Sequence, residues 1–203
     1  MPERRRGAAP AVEDPLEGEL RRRGAGEVRA TKADEVQDFA FLGREFLTWL
    51  LWQVDRGEGR RGADGDDPFD VSFAGKVRFA GLVGDVSDAT LKGRAAAQGV
   101  EVRAAIGAGR TLREADLRLA RGEREWSVTL VADTLDLRSA RLPALLTEEE
   151  DDRFLERISL LEELDAMILA AFTEFLDERT RPAWRRTVIP AMRAWIAAGL
   201  EVS

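Results

Sequence analysis

The chain has 203 residues, 44% of them apolar, and carries a formal net charge of −7. This apolar content is enough for the core of one compact domain. Because the sequence has no Cys, His or Tyr, disulfides, thiol or Ser-His nucleophiles and zinc sites with sulfur or imidazole ligands are excluded. We therefore expect a non-enzymatic protein with no cofactor, no metal and no small-molecule substrate.

Residues 1–33 alternate two Arg triplets with Pro, Gly, Glu and Ala and show no apolar periodicity, which predicts a disordered arm. The basic residues near the N-terminus lack the apolar stretch of a secretory signal, and no run reaches the ~18 apolar residues of a membrane span. We expect a cytoplasmic protein, with nucleoid association left open, and a single domain over residues 34–199.

The stretch FLGREFLTWLLWQ, residues 41–53, lies in a region where apolar residues recur at helical spacing behind Asp34, a candidate N-cap. These periodic residues are Val36, Phe39, Leu42, Phe46, Trp49, Leu50 and Gln53. Further apolar residues flank that face, so the pattern predicts a core helix over residues 34–56 that is covered on more than one side, and not a membrane segment. The Gly-rich, charged stretch Asp55–Pro68 predicts a loop.

Residues 69–142 are predicted to be mainly β. FDVSF and KVRFAGLV read as two strands, residues 90–95 as a continuation of the sheet, and residues 100–110 as helical turns closed by Gly107 or Gly109. Residues 111–142 predict a three-stranded antiparallel meander. Its inward set is Leu117, Leu119, Trp126, Val128, Leu130, Leu135 and Leu137.

Residues 151–199 are predicted to be helical. A long helix runs from about Asp151 to Arg179, and a last helix starts near Pro182, kinks at Pro190 and ends at Gly199. The predicted inward stripe of the long helix is Phe154, Ile158, Leu161, Leu164, Ile168, Phe172 and Phe175. The order of elements predicts an α+β fold, in which an antiparallel meander packs against a long N-terminal helix and two C-terminal helices.

The acidic run TEEEDD, residues 147–152, invites a metal or acid–base interpretation, but a solvated loop that favours the following helix N-terminus is the stronger one. Neither a GxxxxGK[ST] loop nor a complete dinucleotide fingerprint is present, so the sequence does not support nucleotide binding.

Two basic clusters are candidates for nucleic-acid contacts. The first lies at the C-terminus, where Arg185 and Arg186 occur among interleaved Trp residues in a stretch without acids. Core aromatics with a solvated arginine face are the alternative interpretation. The second cluster is placed by the predicted elements along one sheet edge, although composition alone favours scattered surface arginines. Its members are Lys92, Arg94, Arg103, Arg110 and Arg113.

The order of segments in residues 36–178 resembles the C-terminal part of the RdgC family, the bacterial recombination-associated proteins. LTWLLW is followed by LKGRAAA, by VEVRAAIGAGRTLREADLRLA, by WSVTLVADTLDLRSARLP, and then by an acidic loop and a long helix. Leu47-Thr48-Trp49 corresponds to the Leu-Thr-x-Trp segment of the family, and Ala108-Gly109-Arg110 to its Ala-Gly-Lys turn.

This resemblance implies a non-enzymatic DNA-binding protein that forms a ring-shaped dimer around duplex DNA and restrains recombinase filaments. It assigns DNA contacts to Lys92, Arg94, Gly109 and Arg110. The chain departs from the family at its N-terminus, where a low-complexity arm stands in place of a substantial region. It also extends past the usual end of the family from Pro182 onwards.

Two functional hypotheses follow from these observations. The first is a sequence-independent DNA-binding accessory protein that modulates recombination, with duplex or single-stranded DNA as its partner and a homodimer as an open alternative. The second is a protein interaction or oligomerisation module without nucleic-acid binding, docking through the first or the last helix. Neither hypothesis involves a membrane.

Overall fold

A computed structural model describes residues 41–62, 67–80, 88–92 and 100–199. All of these belong to one compact unit, Phe39–Ser203. The described part is an α+β fold with a wholly antiparallel sheet, as predicted. None of its helices is both long and apolar enough to cross a membrane.

The sheet has six strands in the described residues. Five follow the order β1-β2-β4-β5-β6, and β3 pairs with β2 beside that path. The strands are β1 (Arg60–Arg61), β2 (Phe69–Phe79), β3 (Ala89–Lys92), β4 (Leu112–Arg121), β5 (Arg124–Val131) and β6 (Asp136–Arg141). The predicted meander is confirmed as β4, β5 and β6, although Leu135 of the inward set lies in the turn before β6, with a positive φ of 57°.

One correction concerns β2. Two separate strands are predicted for FDVSF and KVRFAGLV, but residues 69–79 form a single strand. The strand is continuous because an irregularity between Phe73 and Val77 absorbs extra residues opposite β4. Gly75 lies inside that irregularity at a φ of +79°, a conformation that glycine adopts without strain. Val77 and Phe79 then face the core as predicted. Residues 81–83 and 93–95, also predicted as β, lie outside the described residues.

Helix α1 spans residues 41–55 and is buried on almost every side. Phe46, Trp49 and Leu50 are at most 1% exposed, and the flanking Leu47 and Leu51 are equally covered. Gly43 is required where α1 meets the end of β5, because a Cβ at this position would lie 1.8 Å from the carbonyl oxygen of Ala132. The predicted core helix is therefore confirmed over these residues, and residues 34–40 lie outside the description.

Helix α3 (Glu150–Thr180) has the predicted extent, but the prediction for its inward face is partly wrong. Leu164, Ile168 and Phe175 are buried, whereas Phe154 and Ile158 are 62% and 39% exposed. Leu161 is also exposed. The buried positions are Leu160, Leu164, Met167, Ile168, Ala171 and Phe175. Phe154 and Ile158 are exposed because they precede Leu160, the first buried position of the helix, whereas Leu161 lies beside the buried face.

The remaining helices pack at the other end of α3. Helix α2 (Val100–Gly107) ends at Gly109, which has a φ of +87° and confirms the predicted glycine stop. The last helical segment opens with a π-helical turn (Trp184–Val188) and continues as α4 (Ile189–Ala198). The wide turn lies directly before Pro190, which is the irregularity that the proline predicts.

A second correction concerns the loop predicted for Asp55–Pro68. It contains the short strand β1, and Arg61 in it is 3% exposed. The Arg61 guanidinium lies 4.7 Å from the ring centre of Trp49 and donates to the carbonyl oxygen of Glu58 at 2.7 Å. Composition predicts a solvated loop here because it carries no information about the aromatic ring that covers this arginine.

Candidate interaction surfaces

The predicted DNA-binding residues of the sheet edge have different surroundings. Lys92 is exposed at the end of β3, directly opposite Lys76 of β2. Arg94 lies outside the described residues. Arg110 follows α2 and is half-buried, with its backbone N–H bonded to the carbonyl oxygen of Ala105 at 3.0 Å.

Arg103 has a structural role in the packing of the last helix. Its guanidinium lies 5.9 Å from the ring centre of Trp195, and its stem lies against the backbone of Gly199, where an added Cβ would be 2.5 Å away. The Nε atom of Arg103 is buried without a hydrogen-bond partner. This side chain therefore packs against α4, and its contact with DNA stays a prediction.

Arg113 lies among carboxylates. Its side chain is 3.6 Å from Asp88 and 3.7 Å from Asp133. Asp133 also forms a two-pronged ion pair with Arg44, and this hydrogen bond raises the pKa of Arg44 above its usual value. On the same sheet, Glu114 is 8% exposed and pairs with both basic side chains of β2, Lys76 at 3.5 Å and Arg78 at 3.2 Å. The local charge at this end of the sheet is therefore largely balanced.

Arg185 and Arg186 lie on an exposed surface of a different kind, which we call the arginine face. It consists of the exposed side chains of Arg181, Arg185, Arg186 and Arg193. None of the four forms a salt bridge with a described carboxylate. Residues 181–199 contain these four arginines and no Asp or Glu, which gives a local formal charge of +4. Trp184 beneath them is buried, so its ring is not available for stacking on a base.

A second charged surface lies at the other end of α3, and we call residues 146–165 the acidic end. It carries nine carboxylates and two arginines, a formal charge of −7 that equals the charge of the whole chain. Glu150, Asp151 and Asp152 occupy the first helical turn, where carboxylates interact favourably with the helix dipole. The predicted solvated, helix-favouring acidic run is thus confirmed.

The acidic end also exposes large apolar side chains. Phe154 and Leu155 are 62% and 63% exposed, and Leu161 is 46% exposed. Leu146, in the loop before the helix, is 87% exposed, and Ile158 completes the set. Isolated exposed apolar residues are normal on a protein surface, but Phe154, Ile158 and Leu161 have i, i+4, i+7 spacing and therefore form a patch on one helix face, of the kind that marks interaction sites.

This end is held in place by polar contacts. The carboxylate of Glu156 accepts hydrogen bonds from the backbone N–H groups of Leu146 and Thr147 at 2.8 and 3.1 Å, and from the Thr147 hydroxyl at 2.7 Å. The Leu146 hydrogen bond is the main cause that lowers the pKa of Glu156. Further along, the indole N–H of Trp126 donates to the carbonyl oxygen of Leu160 at 3.0 Å. The loop and the helix start therefore form a preorganised surface.

Sequence reasoning missed this patch because it treated all apolar residues of α3 as one stripe. At 100° per residue the buried set is centred on Leu164, and Phe154, Ile158 and Leu161 lie roughly 60° to 120° away from it around the helix. These three residues are flanked by acids at positions 151, 162 and 165. Phe172 has the same helical angle as Phe154, eighteen positions away, yet its ring lies 5.2 Å from that of Phe46, so periodicity alone does not identify the exposed residues.

Among the residues that the structure describes, no group of three or more acidic side chains is arranged to hold a metal ion. Comparisons with family models, with curated proteins and with solved structures give no match for this chain. The fold and the two surfaces define a mixed α+β domain with one acidic, apolar end and one arginine face, and the resemblance to the RdgC family stays a prediction.

Proposed function

We propose that this protein is a non-enzymatic interaction module whose acidic end binds a basic, apolar surface of another polypeptide. The observation that carries this proposal is the exposure of Phe154, Leu155, Ile158 and Leu161 within a segment of charge −7. Exposed apolar side chains of this number indicate contact with protein, and the surrounding carboxylates select a partner of opposite charge.

An estimate of the binding energy supports the need for a charged partner. Burying a half-exposed Leu or Phe contributes about 1 kcal/mol, so these four side chains supply about 4 kcal/mol. Association loses roughly 4 kcal/mol or more in translational and rotational freedom. Because apolar burial alone only offsets that loss, we expect binding to depend on charge complementarity and to weaken as salt is added.

A direct test uses a designed peptide helix with Leu on one face and Lys on the other, with a matched peptide carrying Glu in place of Lys as the control. We expect the basic peptide to bind and the acidic one not to bind, by fluorescence anisotropy at about 50 mM salt. Phe154→Ser with Ile158→Ser should weaken binding by about tenfold or more. Leu169→Ser, which removes a 60% exposed side chain outside the acidic end, should have no effect. Equal binding of both peptides, or full binding by the double variant, contradicts the proposal.

A second candidate function is sequence-independent DNA binding, and the arginine face favours it. Three of the four exposed arginines, Arg185, Arg186 and Arg193, lie in a stretch without Asp or Glu and favour a local positive potential, to which DNA responds more than to the net charge. In this proposal the chain is an RdgC-like accessory protein that modulates recombination.

The experiment for this second candidate is a titration of labelled duplex and single-stranded DNA at about 50 mM and higher salt. Arg185→Glu with Arg186→Glu should abolish binding if the arginine face carries it. Lys92→Glu with Arg94→Glu tests the sheet edge separately and should leave the melting temperature unchanged if these residues only contact DNA. The absence of any binding at the lower salt concentration removes this candidate.

A further inference from the structure

The proposed function calls for a basic partner with apolar side chains, and the chain itself carries such a surface. The arginine face presents four exposed arginines, and Ile189, Trp195 and Ile196 of the same helical segment are half-buried. Arginine stems cover apolar surface while their guanidinium groups pair with carboxylates, often through two parallel hydrogen bonds. The face therefore has both properties that the acidic end requires of its partner.

The two surfaces of one molecule are too far apart to meet each other. The acidic end contains the start of α3, and the arginine face begins directly after its last residue, Thr180. From Asp165, the last position of the acidic end, to Thr180, α3 rises about 22 Å at ~1.5 Å per residue. Since the Debye length is about 8 Å at physiological ionic strength, neither surface neutralises the other within a chain.

Pairing between copies can join like or unlike surfaces, and charge distinguishes the two cases. A symmetric dimer through the acidic ends brings two segments of charge −7 together, and one through the arginine faces brings two segments of charge +4 together. Juxtaposed like charges oppose association by several kcal/mol. Contact between the acidic end of one copy and the arginine face of another joins unlike charges.

We infer that this protein self-associates head to tail, with the acidic end of one copy bound to the arginine face of the next. This inference rests on the proposed function, since it names a second copy of the chain as the basic, apolar partner. The contact is heterologous, so it leaves one acidic end and one arginine face unused in every dimer. Such contacts extend into open chains or close into rings.

Two variants that each lack one surface provide the test. The head variant carries Phe154→Ser and Ile158→Ser, and the tail variant carries Arg185→Glu and Arg186→Glu. Sedimentation velocity of the full chain at concentrations up to the order of 100 µM and about 50 mM salt should show dimers and larger species that dissociate in high salt. Each variant alone should be monomeric. An equimolar mixture should form dimers and nothing larger, because each variant supplies the surface that the other lacks.

A control variant, Arg60→Glu with Arg141→Glu, tests whether the change in net charge by itself prevents assembly. It replaces two exposed arginines outside both surfaces and should assemble like the unmodified chain. Circular dichroism melting verifies that all variants are folded. Dimers formed by either variant alone, or a mixture that stays monomeric, overturn the head-to-tail arrangement.

The same samples separate this inference from the proposed function. If the unmodified chain is monomeric but binds the basic peptide through Phe154 and Ile158, self-association is refuted and the interaction module stands. If it neither assembles nor binds the peptide, both proposals fail.

Discussion

Replacing Arg61 tests how a charged residue in a Gly-rich segment contributes to stability. The side chain is almost fully buried and contacts the ring of Trp49, the carbonyl oxygen of Glu58 and, at 3.3 Å, the carboxylate of Glu174. Arg61→Ala removes all of these contacts together with the packed stem. Arg61→Met keeps most of the stem and removes only the charge and its hydrogen bonds.

The expected magnitude follows from these contacts. The short hydrogen bond from a charged donor contributes about 2 kcal/mol, and the guanidinium over the ring about 1 kcal/mol. Glu174 is 46% exposed, so its ion pair adds at most about 0.5 kcal/mol. Arg61→Ala should therefore lower the free energy of unfolding by about 3 kcal/mol, or more because of the cavity left by the stem. Arg61→Met loses the same contacts of the guanidinium, but its stem fills the space and the unsatisfied Arg61 Nε no longer has to be buried, so the loss should be smaller, about 2 kcal/mol.

Urea unfolding followed by tryptophan fluorescence measures both variants, and a thermal melt should show a decrease of about 6–12 °C for Arg61→Ala. The matched control is Arg60→Ala, at the exposed neighbouring position, which should change stability by less than about 0.5 kcal/mol. If Arg61→Ala is no more destabilising than Arg60→Ala, the buried position of Arg61 is refuted. If Arg61→Met is as destabilising as Arg61→Ala, packing of the stem makes no measurable contribution to stability.

Two further predictions concern α1 and the acidic end. Helix propensity alone predicts that Gly43→Ala stabilises the protein by about 1 kcal/mol. We expect the opposite, a loss of several kcal/mol in the free energy of unfolding measured in urea, because the added Cβ would lie 1.8 Å from the Ala132 carbonyl oxygen. Any gain in stability contradicts this packing. The pKa of Glu156 is lower in the folded protein than in the unfolded chain. Its hydrogen bonds therefore stabilise the loop fully at pH values above the pKa of the unfolded chain, and this stabilisation is lost as the pH falls through the pKa of the folded protein. Hydrogen exchange, corrected for intrinsic rates, should show that the Leu146 and Thr147 amides are protected near neutral pH. Protection should be weaker in acid and in the Glu156→Gln variant. Protection that does not depend on pH contradicts this role of Glu156.

The sequence predicts most elements of this fold because their signals are local. Trp126, Val128 and Leu130 alternate with polar residues, and this alternation by itself indicates a half-buried strand. Likewise, Gly109 identifies the end of α2, and Pro190 identifies the irregular last helix. Each of these features depends on a few neighbouring residues, so no knowledge of the rest of the chain is needed.

The candidate surfaces were less predictable because they depend on which elements meet. Arg103 and Arg186 are both arginines on short helical segments, yet one packs against Trp195 and the other is exposed to solvent. Arg113 lies beside Asp133, twenty positions away in sequence, because β4 and the turn after β5 are adjacent. A basic cluster in sequence therefore does not define a basic surface.

The sequence by itself determined the α+β class, the antiparallel meander, the burial of α1 and the charge of each segment. The tertiary structure decided that the first turns of α3 are not buried, which leaves Phe154 and Ile158 exposed, and that Arg61 is buried against Trp49. The physical reason is that periodicity records which residues share a face of one element. Whether another element covers that face depends on the lengths and positions of elements that are distant in the chain.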